Sequence, residues 1–436
     1  MRKKRILIPN GNFSEWALIN AAHRHGMYVI VSGLNENAPG NQFADEYIKA
    51  DYSDKEAMLQ LAKEKKIDYM MSNAHDAGTL STAYVCEQLG LPGHDSYETT
   101  LTLHTKNRLK PLAKKLGLHT PIAEIFGDKD SALQYVCGQI ESGKKIILKP
   151  SDNVASVGVV APKTTGEAEA AVNLAFEKSK SHTIIVEPFL DGFFVTCTSM
   201  IINQKVEAFF ANAGLFYQEG EVEGPEFPMN HRCNGGMEPA PYMNEWKDYI
   251  IEDFNKIAKE LKLVDGKFHA EIMVAPDHSA QIFDLHRRFS GFSEPCPEWN
   301  HSTGLMWEDW VLRAECGMDL SNFPKGIKQD RYFHHRKVYA PQNGKLKRMV
   351  FDEYLTARLV PMCHPGSFDP ESYRGFHTFP FFPKKNFVME NVEITDYRHQ
   401  PLIHVRLRFD TLEEAEFMSD FCEDHFYEHV TFEYED

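Results

Sequence analysis

Hydrophobic and polar residues alternate along residues 266–291, whose sequence is GKFHAEIMVAPDHSAQIFDLHRRFSG. Because successive side chains of a β-strand point to opposite faces, this pattern predicts two strands, and residues 276–279 are typical of the turn between them. The apolar residues of the first strand share one face, which leaves His269 and Glu271 on the other. The second strand places three polar residues on a single face: Asp284, His286 and Arg288.

The polar face of this predicted hairpin combines two carboxylates with an imidazole and a guanidinium. Burying such groups beside a core is unfavourable unless each charge has a partner. A divalent cation carrying phosphates would supply one, since carboxylate oxygens suit Mg²⁺ and the arginine fork suits phosphate. A solvated sheet face with ordinary salt bridges explains the same residues equally well. The hairpin alone therefore leaves both interpretations open.

Residues 5–100 alternate between strand-like and helix-like patterns, which predicts a parallel α/β layer. In such sheets ligands bind beyond the carboxyl ends of the strands. The candidates for substrate binding at these ends are Asn10, Gly11, Asn12, His75 and Asp76. The run PNGNFSEW lacks the GxGxxG spacing of a dinucleotide site, which argues against a dehydrogenase. A plain strand-to-helix turn explains Asn10 and Gly11 as well, and a helix cap explains Asp76.

Two lysines lie in the next segments of the chain. Residues 101–117 predict a basic helix that carries Lys106 and is interrupted or bent near Pro111. Most lysines on such a helix are solvated, so Lys106 alone indicates no site. Residues 144–149 predict a strand that ends at Lys149, where an ammonium group can meet an anion.

Residues 214–242 are rich in Gly, Pro and acidic residues and show no regular period. A loop of this length in a compact domain is usually a lid or a binding loop. Its His231 and Arg232 are candidates for substrate contact, although an irregular surface loop explains each of them as well. Beyond residue 317 the pattern predicts a small, strand-rich α+β domain without a catalytic constellation.

Composition narrows the class of protein. A chain of 436 residues is long enough for two to four domains. The formal charge of -16 argues against a nucleic-acid-binding protein, which needs a basic surface. Eight cysteines without a CxxC pair fit a reducing cytoplasm better than a disulfide framework. The apolar run near the N-terminus is too short for a signal peptide, and no stretch is apolar enough for a membrane span.

The order of these pieces resembles the ATP-grasp superfamily of ATP-dependent carboxylate ligases over about residues 5–318. The segment TLHTKNRLKPLAKKLGLHTP is similar to the helix whose lysine contacts the ATP phosphates. The segment KKIILKPSDNVASVGVV is similar to the strand with the second ATP lysine and the mobile loop after it. IIVEPFLDG resembles the strand that holds adenine, and FHAEI with FDLHRRFSG resembles the metal-binding hairpin.

The resemblance implies a role for each matching residue. The implied ATP-binding residues are Lys106, Lys149, Ser156, Gly158, Glu187, Phe189, Leu190 and Asp191. The implied metal ligands are Glu271, Asp284 and His286, and the implied catalytic residue is Arg288, which would stabilise the transferring phosphoryl group. Arg287 joins the substrate candidates because its place among apolar-facing positions requires a partner.

Several positions depart from the family pattern, and two of them change an expected ligand contact. Phe194 stands where these enzymes commonly place an acid for the ribose hydroxyls, and Asp191 is the candidate substitute. His286 stands where the family has Asn, and an imidazole suits Mn²⁺ better than Mg²⁺. The expected cofactors are therefore ATP and Mg²⁺, with Mn²⁺ as the alternative metal, and His286 has a substrate contact as its alternative role.

The resemblance also implies a fold that combines α/β and α+β parts. We expect a Rossmann-like parallel-sheet domain at 1–103, similar to that of biotin carboxylase and carbamoyl phosphate synthase. An ATP-grasp domain at 104–320 would follow, with a lid subdomain at about 120–190 and a metal-binding subdomain at about 191–320. A small sheet-rich α+β domain would occupy 321–436.

The function implied is an ATP-dependent carboxylate–amine ligase that forms an amide or peptide bond through an acyl phosphate and releases ADP and phosphate. A carboxylating enzyme or a kinase of the same superfamily is the alternative. A nucleotide-binding module that has lost catalysis is the alternative of another class, suggested by Phe194 and the altered metal motif. The expected partners are a small-molecule carboxylate and an amine, without nucleic acid or membrane, and a homodimer is expected by analogy only.

Overall fold

The computed structural model describes most of the chain. The described residues are 2–153, 157–216, 233–289, 303, 305–327, 332–359, 388–395, 397, 402–418 and 425–435. Among them, no helix combines the length and the apolar character needed to cross a bilayer.

The N-terminal part is a parallel sheet of four strands, as predicted. Its strands are β1 (Arg5–Pro9), β2 (Tyr28–Gly33), β3 (Glu46–Lys49) and β4 (Tyr69–Met70), in the order β3-β2-β1-β4. The helices that connect them and follow β4 are α1 (Trp16–Arg24), α2 (Lys55–Lys65) and α3 (Asp76–Leu89). β1 is buried on both faces, as is usual for a central parallel strand. The pattern did not predict β3, because this edge strand is only half-buried and lacks an apolar run.

Two helices lead away from this sheet, α4 (Tyr97–His104) and α5 (Lys106–Leu116). The predicted interruption near Pro111 is wrong, since Pro111 lies inside α5 and the break falls at Thr105, while a bend at Pro111 stays a prediction. Thr105 has extended backbone angles, φ -126 and ψ 114, which end α4 and begin α5. The break frees the N–H of Lys106 to donate to the Ser151 carbonyl at 2.8 Å. This bond fastens the start of α5 to the neighbouring small sheet.

That small sheet has three antiparallel strands, β5 (Glu124–Phe126), β6 (Ile146–Pro150) and β7 (Ile184–Pro188), in the order β5-β7-β6. Helices α6 (Lys129–Glu141) and α7 (Thr165–Lys178) complete this α+β unit. Its core joins the buried alanines of α7 to the apolar residues of β6 and β7. The unit carries Lys149 at the carboxyl end of β6 and Glu187 on β7.

A seven-stranded sheet carries the hairpin at one edge. Its strands, in spatial order, are β12 (Ala280–His286), β11 (Gly266–Val274), β8 (Phe193–Ile202), β9 (Lys205–Phe216), β10 (Cys233–Glu238), β13 (Tyr332–Val338) and β16 (Ile403–Phe409). Helix α8 (Met243–Glu260) packs on the apolar face, where the Phe254 and Phe268 rings meet edge to face with centroids 4.9 Å apart. This sheet runs across the predicted domain boundary at residue 320, which stays a prediction.

The remaining elements form a sheet-rich C-terminal part with its own core. A three-stranded sheet contains β14 (Gly344–Phe351), β15 (Val388–Ile394) and β17 (Val430–Tyr434), in the order β15-β14-β17. The helices here are α10 (Glu353–Arg358) and α11 (Leu412–Met418), while α9 (Trp307–Glu315) packs against α1. Short 3-10 helices occur at Phe13–Glu15, Pro39–Phe43 and His425–His429. The predicted α+β character of this region is therefore confirmed.

Candidate active site

The polar face of the hairpin lies in register across β11 and β12. Glu271 is directly opposite Asp284, and His269 is directly opposite His286. Directly opposed residues of an antiparallel pair project to the same face, so these four side chains form one polar surface. Asp284 and His286 are buried and Glu271 is half-buried. The predicted assignment of these residues to one face is thus realised in the structure.

Lys106 reaches this surface from the first residue of α5. Its Nζ lies 2.7 Å from Asp284 Oδ2. Burial alone would raise the pKa of Asp284, but the neighbouring Lys106 and His286 outweigh it and hold that pKa well below its ordinary value. Burial first, and then the charge of Asp284, raise the pKa of Glu271. The two opposed carboxylates therefore differ in their readiness to ionise, and a second cation beside Glu271 would stabilise its charged form.

His286 lies between two carboxylates. Its Nδ1 is 3.1 Å from Asp76 Oδ1 and its Nε2 is 3.5 Å from Asp284 Oδ1. Burial and Arg288 lower the pKa of His286, but Asp284 and Asp76 outweigh them, so the net shift is upward. Both ring nitrogens are buried, and they meet these carboxylates as ion-pair contacts without regular hydrogen-bond geometry. The two carboxylates therefore stabilise the protonated form of the ring.

Arg288 extends the site toward the N-terminal sheet. Its Nε donates to Asp76 Oδ1 at 2.9 Å, and its Nη1 donates to the Phe289 carbonyl at 2.9 Å. Asp76 is the first residue of α3 and also accepts from His104 Nδ1 at 2.8 Å. Burial alone would raise the pKa of Asp76, but His286 and Arg288 hold it well below its ordinary value. Asp76 is therefore a charged anchor for the arginine.

A second group of charges lies on the small sheet and α5. Glu187 is buried and forms ion pairs with Lys149 and Lys110, the latter at 2.8 Å. Burial alone would raise the pKa of Glu187, but the two ammonium groups outweigh it and lower that pKa. The Lys149 ammonium also lies 4.9 Å from the centre of the Phe283 ring on β12. This contact links the second group of charges to the hairpin.

Sequence reasoning missed Lys110 and His104. Lys110 follows Lys106 by four residues on one helix, so the two side chains share a face. That spacing was the available signal for Lys110. His104 ends α4 and becomes buried only through the packing of α4 against β12, which no local pattern reveals.

The predicted adenine and phosphate residues lie beside the second group. The N–H of Phe189 donates to the Lys145 carbonyl at 3.0 Å, and Leu190 is half-buried. Asp191 is exposed and pairs with Lys145, with Oδ2 and Nζ 3.0 Å apart. Gly158 has φ +81, and a Cβ there would lie 2.6 Å from Cβ of Lys178, so this position requires glycine for packing. Ser156 lies outside the described residues.

The N-terminal substrate candidates lie at the ends of β1 and β4. Asn10 is buried with φ 71, and its Nδ2 contacts Nε2 of His75. A Cβ on Gly11 would overlap the Asn41 side chain, so that glycine permits close packing. Asn12 is half-buried, and a further buried acid, Glu15, has Oε1 3.9 Å from His75 Nε2. His231 and Arg232 lie outside the described residues.

Arg287 points away from this group. Its Nε lies 2.6 Å from Asp95 Oδ2, its Nη1 donates to the Lys267 carbonyl at 2.6 Å, and its Nη2 donates to the Val264 carbonyl at 2.9 Å. The partner that the sequence required is therefore Asp95. All three side-chain nitrogens bind acceptors within the fold, so Arg287 is not part of the substrate site that we propose.

A family model matches the part of the chain that carries this site. A model of the phosphoribosylglycinamide synthetase ATP-grasp (A) domain matches residues 104–293, which contain both lysines, Glu187 and the hairpin. The match identifies residues 104–293 as an ATP-grasp domain. A formate-dependent phosphoribosylglycinamide formyltransferase from Rhodococcus jostii is 25% identical over 310 residues, or 69% of this chain and 70% of that protein.

Solved structures agree on the ATP-grasp fold across the whole chain. Phosphoribosylglycinamide synthetase from Anaerococcus prevotii superimposes with a TM-score of 0.70 at 18% identity, and 100% of both chains is covered. An L-amino acid ligase from Bacillus licheniformis gives a TM-score of 0.69 at 19% identity with the same coverage. At these identities the likeness concerns the ATP-grasp fold, and the activity has to be argued from the site.

Proposed function

We propose that this ATP-grasp protein is an ATP-dependent ligase that joins a carboxylate to an amine and releases ADP and phosphate. The observation that carries the proposal is the single polar surface on which Glu271 and Asp284 lie opposite each other, Lys106 contacts Asp284, and the charges of both acids act on Arg288. Phosphoryl transfer needs charge neutralisation and in-line positioning more than covalent help from the protein. The charges of this surface support the proposal because they would supply the neutralisation.

The cations supply the phosphate-binding part of the proposed site. Lys106 and Lys149 would neutralise the ATP phosphates, and Lys110 would hold Glu187 in place beside Lys149. Glu187, with the backbone of Phe189 and Leu190, would face the adenine edge. The loop that contains Ser156 and Gly158 would cover the phosphates, and Asp191 is the proposed ribose contact.

The hairpin residues fit a divalent cation. Glu271 and Asp284 supply carboxylate oxygens, and His286 supplies a buried ring nitrogen that faces Asp284 and would have to lose its proton to bind a metal. Carboxylates suit Mg²⁺, while an imidazole in the same set favours Mn²⁺. When bound, the cation would neutralise charge on the ATP phosphates.

Arg288 is the proposed catalytic residue. An oxygen of the substrate carboxylate would attack the γ-phosphorus of ATP, and ADP would leave. The amine nitrogen would then attack the acyl carbon, phosphate would leave, and the amine would lose one proton. Arg288 would stabilise the charge on the transferring phosphoryl group from its position beside Asp76. We place the carboxylate between Arg288 and the Asn10–His75 pair.

A substrate screen tests the proposed function. ATP and Mg²⁺ or Mn²⁺ are combined with pairs drawn from amino acids, sugar acids and small amines, and ADP release and product mass are measured. We expect ADP release only when a carboxylate and an amine are both present. The mass of the product should equal the sum of the two substrate masses minus the mass of one water molecule. A requirement for bicarbonate would instead indicate a carboxylating enzyme, and a phosphorylated alcohol would indicate a kinase.

Two lysines of α5 provide a matched pair of variants for this screen. Lys106→Ala removes a proposed phosphate contact, so we expect turnover to fall about 10²-fold. Lys115→Ala removes an exposed lysine that pairs with Glu260, so turnover should stay near that of the parent protein. Equal losses in both variants would contradict the assignment of Lys106. A parent protein that releases no ADP with any pair would favour the nucleotide-binding module.

A further inference from the structure

Three hydrogen bonds connect Arg288 to two residues outside the hairpin. The backbone N–H of Arg287 donates to His104 Nε2 at 3.0 Å, His104 Nδ1 lies 2.8 Å from Asp76 Oδ1, and Arg288 Nε donates to that same oxygen at 2.9 Å. We propose that Asp76 and His104 are positioning residues that fix the Arg288 guanidinium for phosphoryl transfer. The inference rests on the proposed function, because it assigns Arg288 to that reaction.

The protonation of His104 follows from the direction of these bonds. A backbone N–H can only donate, so Nε2 of His104 must be the acceptor and carries no proton. The proton of the neutral ring therefore lies on Nδ1 and points at Asp76. Burial lowers the pKa of His104 to about 4, in agreement with a neutral ring. His104 thus transmits the position of the Arg287 backbone to the Asp76 carboxylate.

The same reasoning argues against a metal ion among these residues. Asp76, His104 and His286 have ligand atoms within 4.8 Å of one another, a spacing that a metal site requires. Coordination through Nδ1 of His104 would move the ring proton to Nε2, against the N–H of Arg287. The ion would also face Arg288, which shares the Asp76 oxygen. A hydrogen-bonded anchor explains the cluster without these conflicts.

The anchor is built from separate parts of the fold. Asp76 begins α3 of the N-terminal part, His104 ends α4, and Arg288 follows β12. Both positioning side chains are largely buried, at 14% exposed for Asp76 and 1% for His104. Arg288 Nη2 makes no hydrogen bond to the described residues, so one nitrogen is available to an anion while the other two are held. Holding an arginine in this way reduces the reorganisation needed during reaction.

The first test is a double-mutant cycle on turnover. We expect Asp76→Ala to lower kcat about 10²-fold, the size of effect caused by a misplaced catalytic group. Asp76→Asn keeps an acceptor oxygen and should lose roughly tenfold, with nucleotide affinity changed by less than about threefold in both variants. In an Arg288→Ala background, Asp76→Ala should have almost no further effect. Equal factors in both backgrounds would overturn the inference.

The matched control is Asp68→Asn. Asp68 also accepts from an arginine, with Oδ2 2.9 Å from Arg2 Nη1, but it precedes β4 and so lies at the opposite end of the N-terminal sheet from Asp76. Its kcat should equal that of the parent protein. A comparable loss in Asp68→Asn would mean that any weakened N-terminal domain lowers turnover, which would also overturn the inference.

A second pair of variants separates the two bonds of His104. Asn can replace the Nδ1 donor toward Asp76, whereas Gln can replace the Nε2 acceptor toward Arg287. We expect His104→Asn to retain more kcat than His104→Gln, because Asp76 is the residue that holds the guanidinium. The reverse order would show that the ring acts through the backbone at 287 and not through Asp76.

A stability cycle keeps failure of this inference distinct from failure of the proposed function. Unfolding free energies of the parent protein, Asp76→Ala, Arg288→Ala and the double variant need no substrate. If the parent releases no ADP with any pair, the proposed function fails, while coupling between the two substitutions still tests the anchor. If the effects of the two substitutions on the unfolding free energy are additive, Asp76 does not hold Arg288, and the inference is overturned whatever the activity of the parent protein.

Discussion

Arg287 and Arg288 are neighbours in sequence, yet their side chains meet different parts of the molecule. Arg287 lies between Asp95 and the carbonyls of Val264 and Lys267, where each of its nitrogens has an acceptor. Arg288 shares Asp76 with His104 and His286 and has one nitrogen without a hydrogen bond to the described residues. Every side-chain nitrogen of Arg287 therefore binds an acceptor within the fold, whereas Arg288 is held by two nitrogens and keeps the third for a ligand.

This contrast gives a physical criterion for function. Burying a charge is costly unless neighbouring groups pair with it. We therefore expect a buried charge with a purely structural role to have a partner for each of its hydrogen-bonding groups. Lys267, near Arg287, follows this rule by donating to the Ser72 carbonyl at 2.6 Å and pairing with Glu315. The surface around Arg288 departs from this rule, because the His286 nitrogens meet Asp76 and Asp284 without regular hydrogen-bond geometry and the pKa of Glu271 is raised by burial.

The largest expected effect is on stability. Arg287→Ala leaves Asp95 and two backbone carbonyls without their donor, so we expect the free energy of unfolding to fall by about 3–5 kcal/mol. Urea unfolding followed by circular dichroism would measure it. The turnover of the protein that remains folded should change little. A large loss of kcat at near-normal stability would reverse the roles we assign to the two arginines.

The complementary variant is Arg288→Ala. Here we expect kcat to fall about 10²- to 10³-fold, the usual result of deleting an electrostatic stabiliser of a transition state. The loss of stability should be smaller than in Arg287→Ala, since fewer of its bonds are internal. Steady-state ADP release and urea unfolding on the same preparation give both values. Near-normal turnover would rule out Arg288 as the catalytic residue.

The hairpin was predictable because a period of two is a local signal. Alternation alone places Asp284 and His286 on one face with Glu271 on the facing strand, and the register of β11 with β12 confirms it. Alternation separated Arg288 from Arg287, but it could not identify their partners, because these come from residues 76 and 95, far earlier in the chain. Asp95 and His104 were missed for the same reason, since neither has a local pattern that marks it.

Glu15 is a buried acidic residue that tests the same criterion, namely whether a buried ionisable group has partners for its polar atoms. Its Oε1 has no hydrogen bond to the described residues, and burial raises the pKa of Glu15 to about 8 despite the bond from Ser14. A carboxyl group with a raised pKa in the folded state destabilises the fold as pH rises from its ordinary value of 4.5 toward that raised value. Glu15→Gln should therefore gain stability over the parent by about 1.4 kcal/mol per pH unit between about pH 5 and pH 8.

Urea unfolding of Glu15→Gln and the parent at several pH values would test this slope. The control is Glu87→Gln, which changes an exposed glutamate that accepts the Tyr97 N–H. It removes the same kind of side chain from an exposed position, so it measures the effect of the Glu-to-Gln substitution itself. A Glu15→Gln difference that stays flat would mean that Glu15 is ionised and has a partner, which would place it with Arg287 among the structural charges.

The smallest expected effect concerns His286 and the choice of metal. His286→Asn replaces a ring nitrogen by an amide oxygen, and oxygen donors favour Mg²⁺ where imidazole favours Mn²⁺. We expect the ratio of kcat/KM with Mg²⁺ to that with Mn²⁺ to rise roughly tenfold. His278→Asn is the matched control, because His278 lies in the turn at the other end of the hairpin and contacts Glu245. An unchanged ratio in His286→Asn would leave Glu271 and Asp284 as the proposed metal ligands. His286 would then be assigned to substrate binding together with Arg288.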